Sequence, residues 1–308
     1  MKMITRRRIG KGEGEQGGSG AESNGNRERG SLREAIGGWL LFAAALYAAG
    51  AAASLMEAAG IERAVRLPVQ ALIVAAAVVP GVCALYRRRF GRLPIGISGR
   101  ALKKEAAAAI GAGGTALLLA AAGFAHAHAL GWLRVEGLNA TPALLAGLGI
   151  NLLTALLYEA LPEELVFRAL IPDALRGRMR AAWAFLLSPL PFVLAPVTVR
   201  GLQAATGLGA EPITADYLVL LTVFAVALQS ARSAFGRIGA GIGFHLAYLM
   251  LARFVVLAAP GEGLVAYTDI EPETGSVAVL FLTVVAGGAA AFAAVSAIRR
   301  KKSAVPET

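Results

Sequence analysis

An all-α, polytopic membrane protein of about eight transmembrane helices is the fold this sequence predicts, and three observations carry the prediction. Only 16% of the 308 residues are charged and 56% are hydrophobic, against about 25% charged in an ordinary soluble domain. The apolar residues fall in blocks near the ~20 residues that a bilayer-spanning helix needs. Lysine and arginine are concentrated in alternate gaps between those blocks, the pattern that membrane insertion produces.

Taken in order, residues 1–36 differ in kind from the rest. The run "GKGEGEQGGSGAESNGNRERGS" is rich in Gly, Ser, Glu and Asn and has almost nothing to bury, so it reads as a disordered tail. It is not a signal peptide, because no apolar core follows its first basic residues at the usual distance. Those basic residues beside a first span mark the cytoplasmic side and do not indicate a nucleic-acid partner. Spans are then predicted at 37–56, 67–86, 105–124, 143–161, 182–199, 214–230, 236–258 and 277–298, within one transmembrane domain over 37–302, followed by a short tail at 303–308. The fourth continues as a helix to about Leu175. Gly and Pro interrupt several spans, which membrane helices tolerate. "AIGAGGTALLLAAAG" and "RIGAGIGF" place small residues where two helices can approach closely. The single Cys83 excludes an intramolecular disulfide framework and a thiolate zinc cluster.

Charge tests the span count. With a cytoplasmic N-terminus, the inside segments hold 24 of the 30 basic residues and the outside loops hold Arg63, Arg66, Arg134 and Arg200. Arg168 and Arg253 belong to helices. The outside loop 259–276 has no Lys or Arg and carries Glu262, Asp269, Glu271 and Glu273. This asymmetry supports eight spans with both termini cytoplasmic. The Ala- and Arg-rich composition points to a bacterial plasma membrane.

The stretch "ALPEELVFRALIPDALRGR" places charge where the apolar pattern continues on both sides. Glu164 and Arg168 are four apart on a helix, acid first, and predict an ion pair on one face. Glu163 points about 100° away and is left without that countercharge, given ~3.6 residues per turn. Glu159, one turn earlier, lies on nearly the same face as Glu163. Ionisable groups at membrane depth are costly unless paired and commonly face an internal cavity; an unpaired carboxylate there suits a general base. Among the three histidines, His126 and His128 in "FAHAHALGW" read as interfacial residues. His245 lies inside the seventh span, about 12 Å of helix from Arg237 at ~1.5 Å per residue. Glu163 is about 7 Å by the same measure from Arg168, taken as its own inner end. The two are expected at comparable depth, facing one cavity.

These residues resemble the CPBP family, the type II CAAX prenyl endopeptidases and their bacterial relatives, the Abi proteins. "EELVFR" fits the EExxxR motif, and "FAVALQSARSAFGRIGAGIGFHLAYL" is similar to the later segment that delivers a histidine. The resemblance covers about 145–255, with weaker agreement in "RLPIGISGRALKKE". It implies an eight-helix intramembrane protease that cleaves peptide bonds near the cytoplasmic face. Glu163 would activate water, His245 would be its catalytic partner, and Glu164 and Arg168 would support them, with Glu159 nearby. The family has been described both as metal-dependent and as glutamate-type, which leaves open a divalent metal such as zinc, with Glu163 and His245 as its candidate ligands. The partners implied are the lipid bilayer and a peptide or lipidated protein substrate.

Two positions depart from the pattern. In the FxxxH motif Phe192 is present and Pro196 stands where the histidine belongs. In the HxxxN motif Leu249 stands four residues after His245. Gln203, Gln229, Tyr248 and Glu159 are the polar residues available to compensate. An intramembrane endopeptidase is therefore weighed against a catalytically degenerate relative serving as a membrane scaffold or binding protein. A proton- or cation-coupled transporter using Glu159 and Glu163 is the third reading.

Overall fold

A computed structural model describes residues 32–209, 212–259, 262–271 and 274–304. Among them are eight helices long and apolar enough to cross a membrane: α1 (Leu32–Ala58), α2 (Arg63–Phe90), α3 (Gly99–Ala129), α4 (Pro142–Arg176), α5 (Ala181–Ala205), α6 (Ala215–Phe235), α7 (Ile238–Val256) and α8 (Thr274–Arg299). The protein is an integral membrane protein. Its surface is correspondingly apolar, with Ile110, Leu118 and Leu55 each more than 70% exposed, a pattern suited to lipid and not to water. The predicted tail falls mostly on residues 1–31, outside the described residues. Helix α1 begins at Leu32, so the predicted boundary at 36 lies inside it. Residues 303–304 of the predicted C-terminal tail continue the last helix.

The helices end where their sequences stop them. Gly91 closes α2 with φ 67°, and Gly236 closes α6 with φ 68°. Both occupy the left-handed region that a Cβ disfavours, and both turn the chain after a basic last turn. Ser98 caps α3 by accepting from the Ala101 amide at 3.2 Å, and Thr141 caps α4 by accepting from Leu144. Outside the helices a two-stranded antiparallel ribbon, β1 (Leu133–Leu138) with β2 (Val265–Asp269), ties the α3–α4 connection to the α7–α8 connection. The apolar-block reading had no way to register strands this short.

Two features of the frame position the charged cluster. First, α3 and α7 pack at backbone distance. A Cβ at Gly243 would overlap the Ala109 carbonyl, and one at Gly239 would overlap the Glu105 carbonyl. The small-residue run thus lets the helices close together as expected. Second, α4 widens into π-helical turns at Leu156–Ala160 and Glu164–Leu170. Each widened stretch ends just before a proline, Pro162 or Pro172. A proline in a helix lacks a donor and its ring crowds the carbonyl four residues back; a wide turn relieves both, and such turns recur at functional sites. All seven residues of Glu164–Leu170 are buried, enclosed by α1, α2, α5, α6 and α7.

Candidate active site

Glu163 and Glu164 lie in the middle of α4, and His245 lies two turns into α7. Glu163 Oε2 is 3.9 Å from His245 Nε2, and Glu164 Oε1 is 3.7 Å from His245 Nδ1. The imidazole therefore stands between adjacent carboxylates, one at each nitrogen. Neither separation is a direct hydrogen bond; the Glu163–His245 separation lets both groups hold one shared water. The side chains of Glu164 and His245 are 0% and 3% exposed, whereas Glu163 retains 16%. Glu163 is the member of the trio that an approaching group can reach.

Arg168 is 1% exposed. Its Nε lies 3.6 Å from Glu164 Oε1, so the predicted helical pair is present. It is looser than a bidentate contact, as expected where a π-turn spreads residues four apart. The Arg168 guanidinium also stacks over the Phe192 ring at 4.3 Å, which gives a buried cation a second favourable neighbour. Phe192 in turn meets Phe167 edge-on and approaches Phe224, and Phe224 meets the His245 ring edge-on at 5.0 Å. An aromatic chain thus braces the arginine at one end and the histidine at the other.

Gly241 makes this geometry possible. It lies four residues before His245 on α7, and an ideal Cβ there would overlap the Glu164 carboxylate. Gly241→Ala is expected to push Glu164 from its place and lower the melting temperature in detergent by several degrees. Gly114→Ala, where a Cβ meets nothing within 4 Å, should leave it unchanged. Equal melting of the two variants would remove the steric argument.

The other sequence candidates separate. Glu159 pairs with Arg253 of α7 at 2.5 Å, and Arg253 also donates to Asn151. Gln203 lies against Gly50 of α1. Tyr248 stacks on Phe224 at 4.5 Å. Gln229 is 1% exposed with neither amide atom hydrogen-bonded. His126 lies near Trp132, and His128 Nδ1 is 3.3 Å from the Leu133 carbonyl, so both stay at the ribbon end. Leu249 is buried against Ala155 and Met250. Arg168 is not the inner end of its helix. It is buried, and α4 runs on to Arg176, so Glu163 is about 20 Å of helix from that end at ~1.5 Å per residue. The expected distance of about 7 Å does not hold, because Arg168 is a buried charge inside an apolar run and not a helix boundary. Sequence reasoning did not single out Gly241 or Phe224. The four-residue step from Gly241 to His245 was the available signal for the first.

Among the described residues no group of three or more His, Cys, Asp or Glu is placed to hold a metal ion. Glu163 and His245 supply two donors, and the neighbouring Glu164 is turned to a guanidinium that would repel a cation. Catalytic zinc sites use three protein ligands, and the residues present do not fit that group.

One family model, described as type II CAAX prenyl endopeptidase Rce1-like, matches residues 146–251. That segment runs from α4 to α7 and contains Glu163, Glu164, Arg168 and His245. No curated protein and no solved structure matches the chain. The match spans the four helices that bring the two glutamates to the histidine, within an eight-span apolar frame, and over that segment the chain is similar to the type II CAAX prenyl endopeptidases.

Proposed function

We propose that this protein is an intramembrane endopeptidase of low intrinsic rate, hydrolysing a peptide bond of a peptide or lipidated protein near the cytoplasmic face. The observation that carries the reading is the 3.9 Å approach of Glu163 to His245 inside a packed helical interior. Glu163 takes a proton from water as the water oxygen attacks the scissile carbonyl. The carbon–nitrogen bond then breaks, and the same proton passes to the departing amine. His245 orients the water or donates to the carbonyl oxygen as charge builds there. The Glu164–Arg168 pair fixes the imidazole from its other side. A rate below that of a complete site follows from Pro196, which can neither transfer a proton nor ligate, and from Leu249, which cannot donate to an oxyanion. Losses of such groups cost roughly 10²–10³-fold each.

Those two positions favour a second reading, a catalytically silent scaffold that keeps the helical frame. Cleavage of a fluorogenic reporter peptide by the full chain in detergent separates the two. Pro196→His combined with Leu249→Asn is expected to raise the rate at least tenfold over the unmodified protein. No cleavage by either protein, with both folded, would leave the scaffold reading standing. The Arg253 countercharge on Glu159 counts against the transporter reading.

We place both termini in the cytoplasm on the charge asymmetry, and the protein in a bacterial plasma membrane on its Ala- and Arg-rich composition. In a Cys83→Ser background, Glu262→Cys should react with an impermeant thiol reagent added to intact cells. Lys104→Cys should react only after permeabilisation. The reverse pattern would invert the topology.

A further inference from the structure

At the ends of α2, α3, α6 and α7 assigned to the cytoplasm there is a cavity of about 580 Å³, lined by Tyr86, Arg92, Glu105, Arg232, Arg237 and the 93–97 turn. Its charges do not balance. Asp173, behind it, accepts from the Tyr86 hydroxyl at 2.7 Å, from Arg176 at 2.8 Å and from Arg232 Nη2 at 2.9 Å. One carboxylate thus serves two arginines and a phenol. Glu105 accepts from Arg237 at 3.0 Å and also caps α7 through the Gly239 amide at 2.8 Å. Arg92 has no carboxylate partner among the described residues and lies 5.7 Å from the Tyr86 ring. Arg232 Nη1 is buried without a hydrogen-bond partner. Three arginines thus divide two carboxylates between them, a fourth, Arg92, has neither, and at least one buried donor is unused.

A buried guanidinium donor without an acceptor is costly, and the planar fork of arginine matches the oxygens of a phosphate. We propose that this cavity binds a phosphate group, carried by the headgroup of an acidic lipid of the inner leaflet. Two further observations favour the lipid. The cavity lies at the helix ends assigned to the inner leaflet, and its lining includes Ile97, 75% exposed, along which an acyl chain would run. Basic pockets between transmembrane helices on the cytoplasmic side suit such headgroups. The proposal rests on the membrane assignment and is independent of the hydrolytic reading.

The test is thermal unfolding of the full chain in a neutral detergent, titrated with phosphatidylglycerol, phosphatidylcholine or inorganic phosphate. Ligand that binds only the folded state raises the melting temperature with concentration. Phosphatidylglycerol is expected to stabilise the protein where phosphatidylcholine does not. Arg92→Gln should weaken that effect roughly tenfold, the scale of one charge-assisted hydrogen bond. Lys104→Gln, which removes one charge outside the cavity, should leave it within twofold. Stabilisation by inorganic phosphate alone, lost in Arg92→Gln, would keep the site and assign it to free phosphate. No selective stabilisation, or equal weakening in both variants, would overturn the proposal. Should Arg92→Gln fail to fold, Arg92→Lys decides, with a several-fold weakening expected and an unchanged titration contradicting the site.

Discussion

Glu163→Gln is expected to lower cleavage of a reporter peptide by about 10²–10⁴-fold, the usual contribution of a positioned general base, while leaving the fold intact. The amide keeps the size of the carboxylate, and Glu163 is the one member of the trio whose side chain is not fully enclosed. No buried ion pair depends on it, since Arg168 is turned to Glu164. The effect should fall on kcat with KM near its original value, because a base acts in the transition state and not in substrate binding. The measurement is steady-state cleavage by purified full-length protein in detergent, with melting temperature as the folding control. Unaltered cleavage by a folded Glu163→Gln protein would remove Glu163 from the proposed chemistry. His245→Ala should also depress the rate, and it should cost stability as well, because the ring packs against Phe224.

Arg168→Ala is expected to be the most damaging single change to stability, whether or not the protein is an enzyme. Its side chain is among the largest fully buried ones, and Glu164 is 0% exposed. Removing the guanidinium strands a carboxylate in a low-dielectric interior, a loss of roughly 3–5 kcal/mol for a broken buried pair. It also removes the stack over Phe192. A fall in melting temperature on the order of 10 °C in detergent follows for a chain of this size. Arg168→Met combined with Glu164→Gln should recover much of it, since replacing both partners leaves no unpaired charge. A single variant melting within a degree of the parent would show that water reaches the cluster and that the enclosure by α1, α2, α5, α6 and α7 does not exclude it.

What this sequence determined by itself is what helix geometry and the bilayer encode locally. Block lengths near 20 residues and the alternation of basic gaps decided the eight spans, because insertion selects on those two properties alone. The Glu164–Arg168 pair was legible because residues four apart on a helix must share a face. The glycines of "RIGAGIGF" announced a close helix contact because the absence of a Cβ permits nothing else as economical. The tertiary structure decided which helices meet and how each is rotated. Glu159 and Glu163 share a face in sequence, yet Glu159 goes to Arg253 and Glu163 to His245. Which partner each meets depends on how α7 packs against α4, which one residue's propensity does not specify. Glu105 finding Arg237, Arg232 finding Asp173 and Phe192 covering Arg168 are likewise settled by packing between distant segments. Amphipathic periodicity is weak where lipid and core are both apolar, so the inward face of each helix is set by small-residue contacts and buried charge, which act only once the helices are side by side.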